Sequence, residues 1–205
     1  MIRIAIAKGR VSDSVQEILK NKGIEFGDGE SSRKLILHEP TGKYELILVK
    51  PQDTPTYVEQ GVAECGIVGR DIVMEQDPDV YQLFSLDAAK CRLCLAGKPG
   101  DSLSQYKNIK VATKYTKSAE EYLAPKGVSF QLIKLNGSVE LAPILGMSDA
   151  IIDIVETGGT LRANGLAIWE TICEIQSVFI ANKAALKTKH KELSELISRL
   201  YKEQT

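Results

Sequence analysis

The chain has 205 residues, of which 26 are basic and 27 acidic, giving a formal net charge of −1, and 43% of it is apolar. This composition is typical of a soluble globular protein. It excludes a general electrostatic affinity for nucleic acid or an anionic membrane, which needs a clear basic excess. Segment 1–7 is too short and too soon followed by charge for a signal peptide, so a cytoplasmic protein is predicted, with no nucleic-acid or membrane partner.

The first half of the chain alternates strand and helix patterns. Strands are predicted at 2–6, 35–38, 44–49, 65–69, 80–86 and 91–97, with 35–38 and 44–49 forming a hairpin. Helices are predicted after Arg10, from Thr54 to Gly61 and near Asp71. This alternation indicates an α/β fold.

The second half continues the alternation. Strands are predicted at 110–113, 128–135 and 150–155, and helices from about 118 and over 139–145. The last segment predicts one long amphipathic helix with an apolar stripe, formed by Leu186, Leu193, Ile197 and Leu200. A core or dimer contact explains such a stripe better than a cofactor site does.

Two short segments resemble each other and predict two lobes. Residues 61–65 and 146–150 each carry a helix-ending glycine, small residues and an acid before a buried strand. A separation of about 85 residues is too long for a solenoid repeat. We therefore predict lobe I at 1–90 with 177–205 and lobe II at 91–176, with the active site in the cleft between them.

The most informative local pattern is a buried strand that runs into a Thr-Gly-Gly-Thr turn. The turn comprises Thr157, Gly158, Gly159, Thr160 and Leu161. Glycines let a backbone curl so that several N–H groups point inward, and threonine hydroxyls add donors, which suits a phosphate. An ordinary turn without a ligand is the alternative. Neither a Walker loop nor a dinucleotide fingerprint is present.

Two carboxylates flank this turn. Asp153 and Glu156 suit ribose hydroxyls or a Mg²⁺ ion that the substrate carries, with no metal bound by the protein directly. A strand-end acid satisfied by the protein is the alternative for Asp153.

Basic residues cluster near the predicted strand ends of lobe I. They are Lys8 and Arg10, with Gly9 between them, then Arg33, Lys50 and Arg70. Ligands of α/β sheets gather at the carboxyl ends of strands. Each charge alone is more often a solvated surface residue, but together they predict a cationic wall that faces the phosphate turn.

The four cysteines lie in apolar runs, which indicates a reducing compartment. Cys91 and Cys94 form a C-x-x-C pattern, but on a strand such positions point to opposite faces, which disfavours a zinc or redox pair. His38 and His190 are far from any nucleophile motif and do not support a catalytic triad.

Residues 140–161, ELAPILGMSDAIIDIVETGGTL, resemble the characteristic motif of the ATP phosphoribosyltransferase family. Segments 7–10, 53–59 and 65–71 are similar to the family as well, so the resemblance covers almost the whole chain. Three positions depart from the common pattern: Ala7 stands where proline is frequent, Arg70 where lysine is common, and Lys50 where arginine is frequent. Lysine keeps the charge at position 50 but loses the two-pronged fork of arginine.

The resemblance implies a two-lobed fold similar to type II periplasmic binding proteins. It also implies a transferase that joins ATP to 5-phosphoribosyl 1-pyrophosphate in the first step of histidine biosynthesis, with Mg²⁺. The turn 157–161 would bind the 5′-phosphate, and Asp153, Glu156 and, more weakly, Glu140 would bind the ribose or its Mg²⁺. Lys8, Arg10, Arg33 and Lys50 would hold pyrophosphate and the ATP phosphates. A non-catalytic two-lobed module that binds small anions is the competing hypothesis.

The chain resembles the short-form catalytic subunit of this family, which lacks the C-terminal regulatory domain of long members. This likeness implies a separate regulatory subunit similar to histidyl-tRNA synthetase, and a homodimer within a hetero-oligomer.

Overall fold

The computed structural model describes residues 1–27 and 34–201, apart from the side chain of Arg10. The predicted α/β fold is confirmed. The strands are β1 Ile2–Ala7, β2 Ile36–His38, β3 Tyr44–Val49, β4 Cys65–Gly69, β5 Tyr81–Gly97, β6 Asn108–Thr113, β7 Ser129–Lys134, β8 Ala150–Val155 and β9 Ala167–Ala181. The helices are α1 Arg10–Asn21, α2 Thr54–Glu59, α3 Arg70–Gln76, α4 Thr116–Leu123, α5 Leu141–Ile144, α6 Gly159–Ala163, α7 Lys183–Thr188 and α8 His190–Tyr201.

The chain forms two compact units. Unit 1 comprises Met1–Ala89 with Gln176–Thr205, and unit 2 comprises Lys90–Ile175. The chain passes from one unit to the other within β5 and again within β9.

Unit 1 is built on strands in the order β2-β3-β1-β4-β9. β1 lies parallel to both β3 and β4, while β2 and β9 run antiparallel to their neighbours. The core on one face includes the wholly buried Ile4, Leu46 and Phe179, against which α1 and α8 pack through Leu19 and Leu193. The parallel register of β1 with β3, Ile2 opposite Tyr44 and Ala7 opposite Val49, brings the carboxyl ends of these strands together at one edge.

Unit 2 is built on strands in the order β5-β8-β6-β7. β6 lies parallel to β7 and β8, and β5 is antiparallel to β8. One buried cluster joins the strand residues Ile151 and Val155 to Val139, Ala142 and Leu161 from the segments around α5 and α6. It fixes the start of α6 against the end of β8.

Two strands and one helix were predicted with the wrong extent. The strands predicted at 80–86 and 91–97 are one strand, β5, which continues through Ala89 although that residue has φ of +52°. The predicted C-terminal helix is two helices, because helical structure is interrupted at Lys189. The Nζ atom of Lys189 lies 2.6 Å from the Glu64 carboxylate. The apolar stripe packs into the core of unit 1, as the core alternative predicted.

Candidate active site

The predicted phosphate loop, residues 157–161, connects β8 to α6. Gly158 has φ of +73°, a conformation that a residue with a side chain adopts only with strain. Arg162 closes the turn: its Nη1 donates to the Thr157 carbonyl over 3.1 Å, and its backbone N donates to the Gly158 carbonyl over 3.1 Å. The structure therefore gathers the predicted residues into one tight turn.

The loop offers polar groups on its outer side and an apolar anchor on its inner side. Thr157, Gly159 and Thr160 are exposed. The first amides of a helix have no acceptor within the helix, so a ligand can use them. The Leu161 side chain is buried in the core of unit 2, so this residue holds the loop in place and has only its backbone to offer a substrate.

The two predicted carboxylates lie at the end of β8. Asp153 is half-buried and Glu156, the first residue after the strand, is exposed. In the antiparallel pairing of β5 with β8, Asp153 stands opposite Cys94. Burial raises the pKa of the Cys94 thiol, so a neutral group stands beside this carboxylate. Cys94 is therefore a packing residue of the strand.

Glu140 directly follows a residue that packs against the base of the loop. It caps the start of α5 and is half-buried. The preceding residue, Val139, is buried in the cluster that also contains Val155 and Leu161. The structure thus places Glu140 on a segment packed against the base of the phosphate loop.

In unit 1 the structure brings Lys8 and Lys50 together. Both line a groove with a volume of about 750 Å³, whose wall also contains Asp53 and Tyr57. The Lys8 backbone N donates to the Val49 carbonyl over 2.8 Å, which continues the parallel pairing of β1 with β3 and sets the two lysines side by side. Both lysines are exposed at this edge.

The three other residues that were predicted for lobe I have different outcomes. The Gly9 amide donates to the Ser12 hydroxyl over 3.2 Å and so serves the start of α1. Arg10 begins α1, but its side chain is not described, and Arg33 lies outside the described residues.

Comparison with known proteins decides the family. The sequence profile described as HisG, ATP phosphoribosyltransferase, matches residues 50–202. An ATP phosphoribosyltransferase of Clostridioides difficile is 45% identical over 203 residues, which cover 98% of this chain and 97% of that protein. One of Clostridium botulinum is 46% identical, covering 97% of this chain and 96% of that protein. The chain belongs to the ATP phosphoribosyltransferase family.

Solved structures agree with the family and with the fold. The HisG:HisZ ATP phosphoribosyltransferase complex from Thermotoga maritima matches with a TM-score of 0.84 and 34% identity, covering 98% of both chains. A periplasmic aliphatic sulphonate binding protein from Escherichia coli matches with a TM-score of 0.66 at 14% identity, over 98% of this chain and 71% of that one. The second likeness concerns the fold alone and confirms the predicted two-lobed architecture of the periplasmic-binding-protein type.

Membership of the ATP phosphoribosyltransferase family establishes the activity. The enzyme joins ATP and phosphoribosyl pyrophosphate into phosphoribosyl-ATP and pyrophosphate, the first step of histidine biosynthesis. The competing hypothesis of a non-catalytic anion-binding module is not favoured.

The turn between β6 and α4, which also belongs to unit 2, was not among the segments predicted for the site. β6 and β8 are parallel, so this turn lies at the same sheet edge as the phosphate loop. It carries Lys114, whose Nζ lies 4.6 Å from the centroid of the buried Tyr115 ring. The signal was present as a strand, a short polar turn and a helix start, but the helix was predicted to begin two residues late, at about 118.

Two further observations concern groups that could hold a metal ion and helices that could span a membrane. In the ranges 1–27 and 34–201, no three His, Cys, Asp or Glu side chains are grouped so that they could hold a metal ion. Across the same part of the chain, every helix is too short or too polar to cross a membrane.

Proposed function

We propose that unit 2 binds phosphoribosyl pyrophosphate by its 5′-phosphate at loop 157–161. The observation that carries this assignment is the tight turn at Gly158, which exposes Thr157 and Thr160 directly beyond the strand that bears Asp153. Hydrogen bonds from amides and hydroxyls to a charged phosphate contribute about 1.5–3 kcal/mol each. Backbone donors fixed by the Arg162 contacts need no reorganisation when the substrate binds.

Asp153 and Glu156 bind the ribose hydroxyls in this proposal, with Glu140 as a further contributor. Carboxylate oxygens accept hydrogen bonds from hydroxyls and are the ligands that Mg²⁺ prefers. The Mg²⁺ ion would enter as part of the substrate, held by its pyrophosphate, and would lie near Asp153 without the protein as a direct ligand. Ionised carboxylates near the ribose also favour positive charge that develops on its anomeric carbon.

The chemistry follows from this positioning. A ring nitrogen of the adenine of ATP forms a bond to the anomeric carbon while the bond from that carbon to pyrophosphate breaks, and the electron pair leaves with pyrophosphate. Negative charge increases on the leaving group, and cations stabilise it. We assign this role, and the holding of the ATP phosphates, to Lys8 and Lys50 of unit 1 together with Arg10 and Arg33. The reaction needs no covalent nucleophile from the protein.

Turnover itself tests the proposed function. The protein is mixed with ATP, phosphoribosyl pyrophosphate and Mg²⁺, in the presence of a regulatory subunit, and the ultraviolet absorbance of phosphoribosyl-ATP is recorded. We expect absorbance to rise only when both substrates are present. Binding of both substrates without any product would instead support the anion-binding module.

The lysine pair yields a prediction about the Michaelis constants. Lys50→Gln removes one cation from the groove of unit 1, and we expect the KM of at least one substrate to rise about tenfold, since one charge-assisted contact is lost. Lys43→Gln is the matched control: Lys43 precedes the other end of β3, where its Nζ lies 3.7 Å from Glu195. Steady-state titration of each substrate measures the effect. Unchanged KM values for both substrates in Lys50→Gln would remove this residue from the site.

The assembly is also a proposal. We propose a homodimer that joins a regulatory subunit similar to histidyl-tRNA synthetase, as the resemblance to short-form members implies. The Thermotoga maritima relative, solved as a HisG:HisZ complex, supports the presence of a second subunit. Exposed apolar side chains close together in unit 2, namely Leu141, Ile144, Leu145 and Met147, are a candidate surface for one of these contacts. Because ATP and phosphoribosyl pyrophosphate are cytoplasmic metabolites, the proposed location is the cytoplasm.

Regulation by histidine yields a further prediction. Allosteric inhibition needs a second site whose ligand favours one global state. We expect the purified chain alone to turn over slowly and to be insensitive to about 1 mM histidine. Adding the regulatory subunit is expected to raise turnover and to introduce inhibition, as steady-state assays with and without histidine would measure. Strong inhibition of the lone chain that neither substrate relieves would contradict this assignment.

A further inference from the structure

A buried hydroxyl joins two segments at the edge of unit 2 that carries the phosphate loop. Thr113, the last residue of β6, is wholly buried. Its hydroxyl donates to the Ile152 carbonyl over 2.6 Å and accepts from the Tyr115 amide over 2.9 Å. The hydroxyl therefore uses its proton and one lone pair on two different segments.

One of these segments leads directly to a residue of the candidate site, and the other begins the helix after the neighbouring parallel strand. Ile152 immediately precedes Asp153 on β8, and Tyr115 precedes α4. The backbone pairing between β6 and β8 ends with Thr113 opposite Ile152. The Thr113 hydroxyl thus adds a side-chain hydrogen bond between the two strands at the end of β6, one residue before Asp153 on β8.

The turn after Thr113 carries a cation that the proposed mechanism has not used. Lys114 is half-buried, and its Nζ lies 4.6 Å from the centroid of the Tyr115 ring. A cation over an aromatic face is attracted by the ring electrons, and the buried Tyr115 ring cannot move far. Holding the Tyr115 amide in place therefore restricts Lys114 as well.

We propose that Thr113 is a positioning residue of the phosphoribosyl pyrophosphate site. Its hydroxyl fixes the turn of residues 114–115 against the strand of Asp153, so that the Lys114 ammonium and the Asp153 carboxylate meet the anionic sugar substrate at a set separation. This inference rests on the proposed binding of that substrate by unit 2. It adds Lys114 as a binding group that neither the motif nor the glycine turn indicates.

The test compares Thr113→Val, which keeps the shape and removes the hydroxyl, with Thr113→Ser, which keeps the hydroxyl. We expect the Kd and KM for phosphoribosyl pyrophosphate to rise about tenfold in Thr113→Val, less than the roughly hundredfold cost of a 1 Å misplacement. The KM for ATP is expected to stay unchanged, and Thr113→Ser to restore binding to within about twofold of wild type. Ile109→Val, a buried change at the other end of β6, controls for lost stability. It should lower the Tm without changing either KM.

A second variant keeps the proposal testable if Thr113→Val does not fold. Lys114→Gln alters a partly exposed side chain and is expected to weaken binding of the same substrate severalfold, with a smaller dependence on salt than wild type. Unchanged affinity in Lys114→Gln, or equal losses in Thr113→Ser and Thr113→Val, would overturn the inference. If the wild-type protein itself failed to bind phosphoribosyl pyrophosphate, the proposed function would fail; if it bound and only these variants had no effect, the proposed function would stand.

Discussion

Gly158→Val is expected to lower the affinity for phosphoribosyl pyrophosphate by more than about 100-fold. Gly158 has φ of +73°, and a Cβ there would lie 3.1 Å from Nη1 of Arg162, the group that closes the loop. A branched side chain forces the backbone to move, and at least two charge-assisted hydrogen bonds to the 5′-phosphate are lost, about 3–6 kcal/mol in total. Calorimetric titration of the folded variant with substrate and Mg²⁺ measures the loss.

Gly165→Val is the matched control for this change. Gly165 follows the other end of α6 with φ of +70°, and a Cβ there would meet nothing within 4 Å. Valine at either position imposes a similar backbone strain, about 1–3 kcal/mol, so both variants should show a lowered Tm. Only Gly158→Val should lose substrate binding. A folded Gly158→Val protein that binds with wild-type affinity would refute the phosphate assignment.

Asp153→Asn is expected to reduce kcat/KM for phosphoribosyl pyrophosphate by about 10- to 150-fold. The change keeps the size of the side chain and removes the charge. The loss should therefore equal one charge-assisted interaction, about 1.5–3 kcal/mol, and exceed the roughly 1 kcal/mol of a neutral hydrogen bond. Steady-state kinetics over a range of Mg²⁺ concentrations measures it, with the largest defect expected at low Mg²⁺.

Asp149→Asn, at the start of the same strand, is the matched control for Asp153→Asn. Asp149 immediately precedes β8, and its Oδ2 accepts from the Lys110 amide over 2.8 Å. An asparagine oxygen can accept the same hydrogen bond, so turnover should stay near wild type. If Asp153→Asn retained a native rate at low Mg²⁺, the carboxylate would have no part in ribose or metal-linked recognition.

The sequence predicted the strand 150–155 and the glycine turn after it well because their signals are local. The strand at 150–155 was predicted with the bounds that the structure has, since a run of apolar residues ends there at a glycine turn. The positive φ of Gly158 follows from the same local pattern. The burial of the Leu161 side chain could not be predicted from the sequence, because it depends on contacts with Val139 and Val155.

Elements governed by distant contacts were harder to predict. The last helix breaks at Lys189, where the side chain reaches Glu64, a residue more than a hundred positions earlier in the chain. β9 was not predicted at all, although its second half is buried against β4. The link from Thr113 to Ile152 likewise joins residues far apart in sequence, and no spacing rule indicates it.

The basic residues show the same limit. Lys8 and Lys50 were predicted to lie together because each follows a strand. The parallel register of β1 with β3 brings both lysines to one groove. The roles of Arg10 and Arg33 stay predictions, because the side chain of Arg10 and the whole of Arg33 fall outside the described part of the chain.

A crystal structure of the enzyme with phosphoribosyl pyrophosphate and Mg²⁺ bound is the decisive measurement of substrate binding by unit 2. We expect the 5′-phosphate oxygens to lie within about 3.2 Å of amides and hydroxyls of loop 157–161, with the ribose hydroxyls next to Asp153. A fully occupied substrate whose 5′-phosphate lies elsewhere in the protein, while this loop contacts no part of it, would refute phosphate binding by the loop.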